Sequence, residues 1–337
     1  MDTVKEINLS KKEISEFILK SVVLLKKNYI FPEVADKVCS RLERGLTEGK
    51  YEKLSNHEEL KKSIEEDLQS VNGDKHLHIM IQENHSDNAE EVSDEEMVAE
   101  YKRVAEINNY GIHRIERLPG NIGYIDLRVF YDMDTVPEAS ESAINAMNAI
   151  THTDALIIDL RKNLGGTAYM VSLFASYLVK EPTHIESFYR KDEDKTSQVW
   201  TLPHVPGQLY LDKPVYILTS KRTFSAGELF AYAMKNMGRA EVFGEITGGG
   251  ANPGFYHQVT EHIRLFIPSG RSISPVTGGN WEGTGVIPDQ EITAEEALDA
   301  AYEKALMKNR EKYEERKEYS FLVKEIDDVL AELHGKK

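Results

Sequence analysis

The chain has 337 residues, 40% of them hydrophobic, which is enough to bury one large core or two ordinary ones. Its 57 acidic residues outnumber its 41 basic residues, and the formal net charge of −16 repels phosphate backbones and anionic lipid. Nucleic acid and membrane are therefore not expected as partners. The single cysteine, Cys39, excludes an internal disulfide and a Cys-x-x-Cys zinc site.

The N-terminal segment MDTVKEINLSKKEISEFILKS carries charges throughout, so neither a signal peptide nor a membrane-spanning segment is visible in it. A lone cysteine also fits a reducing compartment. We therefore expect a cytoplasmic protein, with the reservation that a leader removed beforehand would leave the same pattern.

Apolar side chains at helical spacing predict a three-helix module over residues 1–70. The three stripes consist of Ile14, Phe17, Ile18 and Leu25, then Val34, Val38 and Leu42, then Leu60, Ile64 and Leu68. Residues 71–100 follow as a strand, DKHLHIMI, and an acidic stretch that is typical of a solvated linker. A domain boundary is expected near residue 100.

Strand and helix patterns alternate from Asn121 onward. In chain order they are GYIDL, a helix from about Pro137 to Ile150, ALIIDL, a helix from about Thr167 to Leu178, VYILT and a helix after Ser225. Hairpins or a loop are expected after Glu241, and helix returns from Ala294 to Leu333. This alternation predicts an α/β core over residues 101–337.

Ser225 occupies the most informative position, between the apolar run VYILT and the amphipathic helix that follows. The backbone N–H groups in the first turn of a helix have no intrahelical partner and lie beside such a serine, where they stabilise an oxyanion. The alternative is an N-cap serine without a chemical role.

Five short motifs occur in a fixed order over about residues 120–292, namely GYIDL, DLRKNLGG, TSKRTFSAGE, GEITGGG and EGTGVIPD. Together they resemble the tail-specific, or C-terminal processing, serine peptidase family. No PDZ-like segment precedes GYIDL, and with the helical module and DKHLHI the chain is similar to the branch of interphotoreceptor retinoid-binding protein-like and tricorn-like peptidases. The resemblance implies a crotonase-like ββα core of repeated strand-helix units.

The resemblance implies that Ser225, in the S-A-x-E motif, is the nucleophile. The tail-specific enzymes activate this serine with a downstream lysine, where this chain has Gly248–Gly250. Glycine accepts no proton, so a Ser-Lys dyad is excluded. The tricorn-like branch uses a histidine and an acidic residue, which His76 and Glu282 match, and a neutral imidazole accepts a proton near pH 7.

The glycines of DLRKNLGG permit close approach of the backbone because they carry no β-carbon. The family role of this turn is to supply one oxyanion donor, which we assign to the N–H of Gly165 or Gly166, with the N–H of Ala226 as the second donor. Glu228, three residues after Ser225, either orients the surroundings of the nucleophile or caps the helix.

Two further interpretations stay open. His76 and His78 share one face of the expected strand, which is also the geometry of a two-histidine metal site, although no third ligand is evident. Phe255, Tyr256 and Trp281 occur in glycine-rich, loop-like segments beside motif residues, where they form a substrate-binding wall or anchor the loops.

These residues predict a serine peptidase that cleaves peptide bonds through an acyl-enzyme with a Ser-His-Glu arrangement and needs no metal or organic cofactor. The expected partner is a peptide or unfolded protein bound along an exposed strand edge, and homo-oligomerisation is left open. Two alternatives remain. A non-catalytic ligand-binding module of the retinoid-binding type is favoured by the missing lysine, and an esterase or amidase needs identical machinery.

Overall fold

The computed structural model describes residues 10–54, 57–81 and 94–335, which form two compact units. Unit 1 takes its described residues from Met1–Asp94, Phe188–Ser197 and Asn252–Ile273, and unit 2 takes its own from Glu95–Ser187, Gln198–Ala251 and Ser274–Lys337. Each unit therefore combines segments that are distant in sequence.

The described helices and strands follow in chain order. The helices are α1 Lys11–Asn28, α2 Pro32–Thr47, α3 His57–Leu68, α4 Asp94–Ile107, α5 Glu138–Ala149, α6 Ala168–Ser176, α7 Ala226–Asn236, α8 Ala297–Tyr313 and α9 Ser320–Gly335, with short 3-10 helices at Tyr51–Lys53, Asn109–Gly111 and Lys317–Tyr319. The strands are β1 His78–Ile81, β2 Ile112–Leu118, β3 Ile122–Leu127, β4 Ala155–Asp159, β5 His184–Arg190, β6 Lys195–Trp200, β7 Val215–Thr219, β8 Glu241–Gly244, β9 Gly254–Gln258, β10 Ile263–Pro268, β11 Gly270–Ile273 and β12 Gln290–Glu291.

The three helices of unit 1 form the module that the apolar stripes predict. α1 begins after Ser10, whose hydroxyl accepts the N–H of Glu13 at 3.1 Å, and α2 begins with Pro32, whose fixed φ suits a first helical turn. Apart from Val34, which is partly buried and packs against it, the stripes are buried in one hydrophobic cluster together with apolar side chains of β10 such as Leu265 and Ile267.

Strands β1, β10 and β9 form an antiparallel sheet in that order. The β1 edge is covered by side chains from α3 and the residue that follows it. Ile79 N–H donates to Glu65 Oε1 at 3.1 Å, and Leu77 O accepts from Gln69 Nε2 at 3.0 Å. β9 forms the opposite edge of the sheet.

Two predictions for residues 71–100 need correction. The strand covers only His78–Ile81, because the Asp74 carboxylate accepts the N–H of His76 at 3.0 Å and holds the preceding residues in a turn. The acidic stretch is not all linker, since Asp94–Ile107 is a helix, in which Glu95, Glu96 and Glu100 are exposed. Residues 82–93 of that stretch lie outside the described residues.

Six strands of unit 2 form one sheet in the order β12-β8-β7-β4-β3-β2. β2 is antiparallel to β3, and all other neighbours are parallel, with α5, α6 and α7 in the connections between β3, β4, β7 and β8. β3, β4 and β7 are buried along their whole length, as parallel strands covered on both faces are. The predicted α/β class with an N-terminal helical module is confirmed.

The C-terminal helices bury one face of the sheet of unit 2. Leu306 of α8 and Ile326 of α9 belong to one hydrophobic cluster with Ile157 and Tyr216 of the sheet. The helical region expected from Ala294 to Leu333 consists of two helices with a short 3-10 turn between them. In the part of the chain that the structure describes, no helix has the length and apolar character needed to cross a bilayer.

Asp67, a buried carboxylate of α3, connects three segments of unit 1. It accepts hydrogen bonds from Arg41 Nε at 2.7 Å, Lys50 Nζ at 2.6 Å and Tyr51 OH at 2.6 Å. We expect Asp67→Asn to lower the free energy of unfolding by about 3 kcal/mol. The side-chain NH₂ group of asparagine would face Arg41, Lys50 or Tyr51, which are themselves hydrogen-bond donors. Urea unfolding measures this loss, and the exposed control Glu66→Gln changes stability by less than about 0.5 kcal/mol. Wild-type stability of Asp67→Asn would contradict this structural role.

Candidate active site

Ser225 lies at the sharp bend between β7 and α7. Its backbone has φ 52° and ψ −118°, a combination that costs an L-residue about 1–3 kcal/mol. An ordinary N-cap residue instead has extended backbone angles. The half-exposed side chain and the strained strand-to-helix turn are typical of a nucleophilic serine, although Ser225 also stands in a capping-box arrangement with Glu228 at the start of α7.

The turn after β4 places two glycines beside Ser225. A β-carbon at Gly165 would lie 2.8 Å from Cβ of Ser225 and 3.3 Å from the nitrogen of Ala226. Gly165 has φ 108° and Gly166 has φ 132°, which glycine adopts readily. A β-carbon at Gly166 would collide with the backbone of Phe130. Both positions therefore require glycine.

Asn163 is a fully buried residue that the motifs did not single out. Its Oδ1 accepts the N–H of Gly165 at 2.9 Å, its carbonyl accepts the N–H of Phe224 at 3.0 Å, and its Nδ2 donates to Leu127 O at 3.0 Å. Asn163 thus connects the glycine turn to the residue before Ser225. The sequence signal is weak, because an asparagine beside glycines looks like an ordinary turn residue.

The hydrogen bonds distinguish the two glycines that the sequence offers as oxyanion donors. The N–H of Gly165 is bound by Asn163. Within the described residues, no hydrogen-bond partner is found for the N–H groups of Gly166 and Ala226. Gly166 and Ala226 are therefore the candidate oxyanion donors, and Gly165 provides the space that Ser225 occupies.

Glu228 is fully buried and accepts four hydrogen bonds. Oε2 accepts the N–H of Ser225 at 2.8 Å and of Gly250 at 2.9 Å, and Oε1 accepts the hydroxyl of Thr247 at 2.5 Å and the N–H of Gly249 at 2.6 Å. Burial raises the pKa of Glu228 above its usual range, although these four donors act in the opposite direction. The residue therefore caps α7 and also fixes the glycine segment beside Ser225.

Gly248–Gly250 occupy the region in which the tail-specific enzymes carry their lysine. A β-carbon at Gly248 would lie 2.7 Å from the ring of Phe224, and Gly249 has φ 84°. The carbonyl of Gly250 accepts the indole N–H of Trp281 at 2.8 Å. The packing at Gly248 and the positive φ of Gly249 therefore disfavour a larger residue in this segment.

Trp281 and Glu282 lie in a turn beside this glycine segment. Trp281 is buried, and its ring packs on Tyr232 with the centroids 5.2 Å apart. Its burial favours loop anchoring over a substrate-binding wall. Glu282 is half-buried, and its Oε2 accepts the N–H of Ala251 at 2.7 Å.

His76 belongs to unit 1 and lies in the turn before β1. Its buried ring stacks on Phe266 with the centroids 5.7 Å apart. Burial, with a smaller effect of His78, lowers the pKa of His76 to about 4. The imidazole is therefore neutral at pH 7 and in the protonation state of a general base.

Both ring nitrogens of His78 are hydrogen-bonded within unit 1. Nδ1 donates to the carbonyl of His76 at 2.9 Å, and Nε2 accepts from the hydroxyl of Tyr256 at 2.7 Å. A carbonyl oxygen only accepts hydrogen bonds, so the proton of His78 must be on Nδ1. The expectation that His76 and His78 share a strand face is wrong, because His76 lies in the turn. A two-histidine metal site would also require one ring nitrogen of His78 to give up its hydrogen bond.

Phe255 and Tyr256 lie in strand β9, not in the loop that the glycine-rich sequence predicts. The pairing of β9 with β10 orders this segment. Adjacent strand residues point to opposite faces. Tyr256 contacts His78, whereas Phe255 is 53% exposed and lies under the guanidinium of Arg190, 5.0 Å from its ring centroid.

The protonation of His76 predicts a pH-dependent stability. Its pKa is about 4 in the folded chain and about 6.5 when unfolded, so on acidification the unfolded state takes up the proton first. This contribution to the free energy of unfolding is complete above about pH 6.5, falls between about pH 6.5 and 4, and amounts to about 2 kcal/mol lost at pH 5. Urea unfolding of wild type and His76→Gln at about pH 6.5 and at about pH 5 isolates the contribution of His76. An equal pH dependence of the two proteins would contradict the lowered pKa.

Two family models match the chain. Residues 121–292 match peptidase family S41, which is more than half of the chain, and residues 1–112 match the N-terminal domain of peptidase S41 in eukaryotic IRBP. Together the two matches include the helical module, His76 and every motif that surrounds Ser225.

Individual relatives show more distant similarity. A carboxy-terminal-processing protease of Bartonella bacilliformis is 25% identical over 189 residues, which are 55% of this chain and 42% of that protein. The chain thus spans less than half the length of this curated relative. A lipoprotein from Streptococcus agalactiae has the same fold at a TM-score of 0.55 and 17% identity, over 91% of this chain and 99% of its own. The photosystem II D1 C-terminal processing protease aligns at a TM-score of 0.52 and 12% identity, over 84% of this chain and 94% of that protein.

Proposed function

Because the chain belongs to peptidase family S41, we propose that it is a serine peptidase that hydrolyses peptide bonds through an acyl-enzyme on Ser225. The family resemblance predicted from the five motifs is confirmed, and the absence of a PDZ-like segment stays a prediction. The observation that carries the proposal is the strained backbone of Ser225, which holds its half-exposed side chain between the glycine turn and the first turn of α7.

The first chemical step is attack on a peptide carbonyl. Ser225 Oγ forms a bond to the carbonyl carbon, and the carbonyl oxygen becomes an oxyanion. The N–H groups of Gly166 and Ala226 stabilise this charge, and loss of one such donor typically lowers the rate about a hundredfold or more. The tetrahedral intermediate then collapses, expels the amine and leaves an ester on Ser225.

His76 is proposed as the general base. It takes the proton from the Ser225 hydroxyl during attack and returns it to the leaving amine, and then activates the water that hydrolyses the ester. Its buried, neutral imidazole supports this role, as do the bonds that occupy both nitrogens of His78. Glu282 is proposed to steady the imidazolium that forms.

The substrate is proposed to be a peptide or an unfolded protein. The name of the Bartonella bacilliformis relative describes processing at a carboxy terminus, and we extend this preference to the present chain. An extended peptide needs only backbone hydrogen bonds for affinity, so recognition along a strand edge fits a broad range of sequences.

A fluorophosphonate that reacts with activated serines tests the proposal. Wild type is expected to be labelled, Ser225→Ala is not, and the exposed control Ser197→Ala labels like wild type. Peptide mapping of the labelled chain identifies the modified residue. Equal labelling of wild type and Ser225→Ala, or no labelling of either, would refute the proposal.

A second candidate function is a non-catalytic module that binds an apolar ligand. The match of residues 1–112 to the N-terminal domain in eukaryotic IRBP favours it, and so does the glycine segment in place of a lysine. The backbone strain at Ser225 opposes it, because a binding module gains nothing from a strained serine. Thermal stabilisation by apolar ligands, together with no serine labelling, would favour this function.

A further inference from the structure

Unit 1 contains a pocket of about 180 Å³ that lies outside the residues assigned to the reaction. Its lining includes Lys27 of α1, Lys191 and Asp192 after β5, Phe255 and His257 of β9, and Ser269. A water molecule in the liquid takes up about 30 Å³, so the pocket has room for a side chain.

The pocket is cationic although the chain carries a net charge of −16. Lys191 Nζ donates to the carbonyl of Tyr29 at 2.7 Å, which fixes the ammonium at the wall and leaves two N–H donors. Asp192 pairs with Arg190, whose Nη2 lies 2.8 Å from Oδ2 of Asp192, and the same guanidinium also pairs with Glu193 at 3.3 Å. In the described part of the chain, no carboxylate forms an ion pair with Lys27 or Lys191.

Three uncharged polar residues, Asn28, His257 and Ser269, also line the pocket. Burial, and to a smaller extent the charge of Lys27, lowers the pKa of His257, so its imidazole is neutral at pH 7 and carries one N–H donor. Ser269 is 8% exposed and contributes a hydroxyl group. Cations and neutral donors around a small volume complement a carboxylate.

The pocket opens beside the edge strand of the sheet of unit 1. β9 pairs with β10 on one side and forms the end of the sheet order β1-β10-β9, whereas the β1 edge is covered by Glu65 and Gln69. Phe255 and His257 are two residues apart and therefore face the same way, toward the pocket. An extended peptide added to β9 would present alternate side chains on that face.

We propose that the β9 edge binds an extended acidic peptide segment and that this pocket takes the side-chain carboxylate of one of its Glu or Asp residues, between Lys27 and Lys191. This inference rests on the proposed peptidase function, because the acidic peptide would be its substrate. The binding itself does not require turnover.

Binding is tested on the full chain carrying Ser225→Ala, which removes cleavage. The probes are acetyl-Thr-Val-Glu-Val-Thr-amide and its Glu→Gln version, which differ in one charge. By calorimetric competition the Glu peptide is expected to bind about fivefold more tightly, a difference that shrinks in high salt. Lys191→Met and Lys27→Met each reduce it, whereas Lys26→Met, an exposed neighbour on α1 outside the lining, leaves it unchanged.

Equal affinity of the two blocked peptides would overturn the inference, and so would a Glu preference that survives in both lining variants. A third probe, the Gln peptide with a free C-terminus, separates the sources of the carboxylate. If only this probe responds to Lys191→Met, the ligand is a chain end, and the side-chain assignment is refuted. If affinity depends on the peptide charge but the wild type shows no Ser225-dependent hydrolysis, only the peptidase function is refuted. If the wild type hydrolyses peptides but shows no preference for Glu, only this inference is refuted.

Discussion

Ser225→Ala is expected to lower kcat/KM for peptide hydrolysis by about 10⁴-fold or more, because alanine provides no nucleophile and only the oxyanion donors and substrate binding remain. The measurement is the yield of products from a diverse peptide mixture, read by mass spectrometry for the wild type and the variant. Undiminished products from Ser225→Ala would show that another residue, or a contaminant, performs the cleavage.

Ser225→Gly is the matched control for this variant. It also removes the hydroxyl, but glycine adopts φ 52° and ψ −118° without the strain that Ser225 carries. We expect Ser225→Gly to be inactive. Its free energy of unfolding should be about 1 kcal/mol higher than that of Ser225→Ala, since relief of such strain contributes about that amount. Equal stabilities would mean that the bend stores no strain.

Much of unit 2 is predictable from local sequence. The runs in β3, β4 and β7 are short, apolar and rich in β-branched residues, and apolar residues recur at helical spacing in the helices that follow them. These signals depend on neighbours in the chain, so they survive without knowledge of the tertiary structure. The same holds for the glycines of the turn after β4.

The sequence conceals what tertiary packing decides. TFSAGE has the composition of a helix N-cap, and its strained backbone appears only when Gly165 and Glu228 pack around Ser225. Asn163 looks like a turn residue, yet its hydrogen bonds determine which glycine N–H remains available. Likewise, no local pattern indicates that residues 188–197 and 252–273 belong to the same unit as the N-terminal helices.

His76 shows how a side chain overrides an alternating pattern. DKHLHIMI alternates like a strand, but the carboxylate of Asp74 accepts the N–H of His76 and keeps this residue in a turn. The sequence therefore identifies the residue type correctly and its local structure incorrectly. Its buried environment and lowered pKa follow from contacts with distant residues such as Phe266, which sequence spacing does not reveal.

His76→Ala is expected to lower kcat/KM by about 10³-fold at pH 7, within the range that general acid-base catalysis provides. The matched control is His78→Gln. Both nitrogens of His78 are engaged by His76 O and Tyr256 OH, so its loss disturbs packing but removes no base, and activity should fall less than tenfold, about 1.4 kcal/mol or less. Equal losses in the two variants would assign the effect to packing in unit 1.

The pH profile tests the same role independently of mutation. A general base works when unprotonated, so kcat/KM of the wild type should rise through an apparent pKa near 4 and stay level toward pH 7, provided that the chain remains folded during a short assay. An unperturbed histidine would place this limb near pH 6.5. The residual activity of His76→Ala should lack the limb near pH 4. A limb near pH 6.5 in the wild type, or an unchanged limb in the variant, would show that the base is a different group.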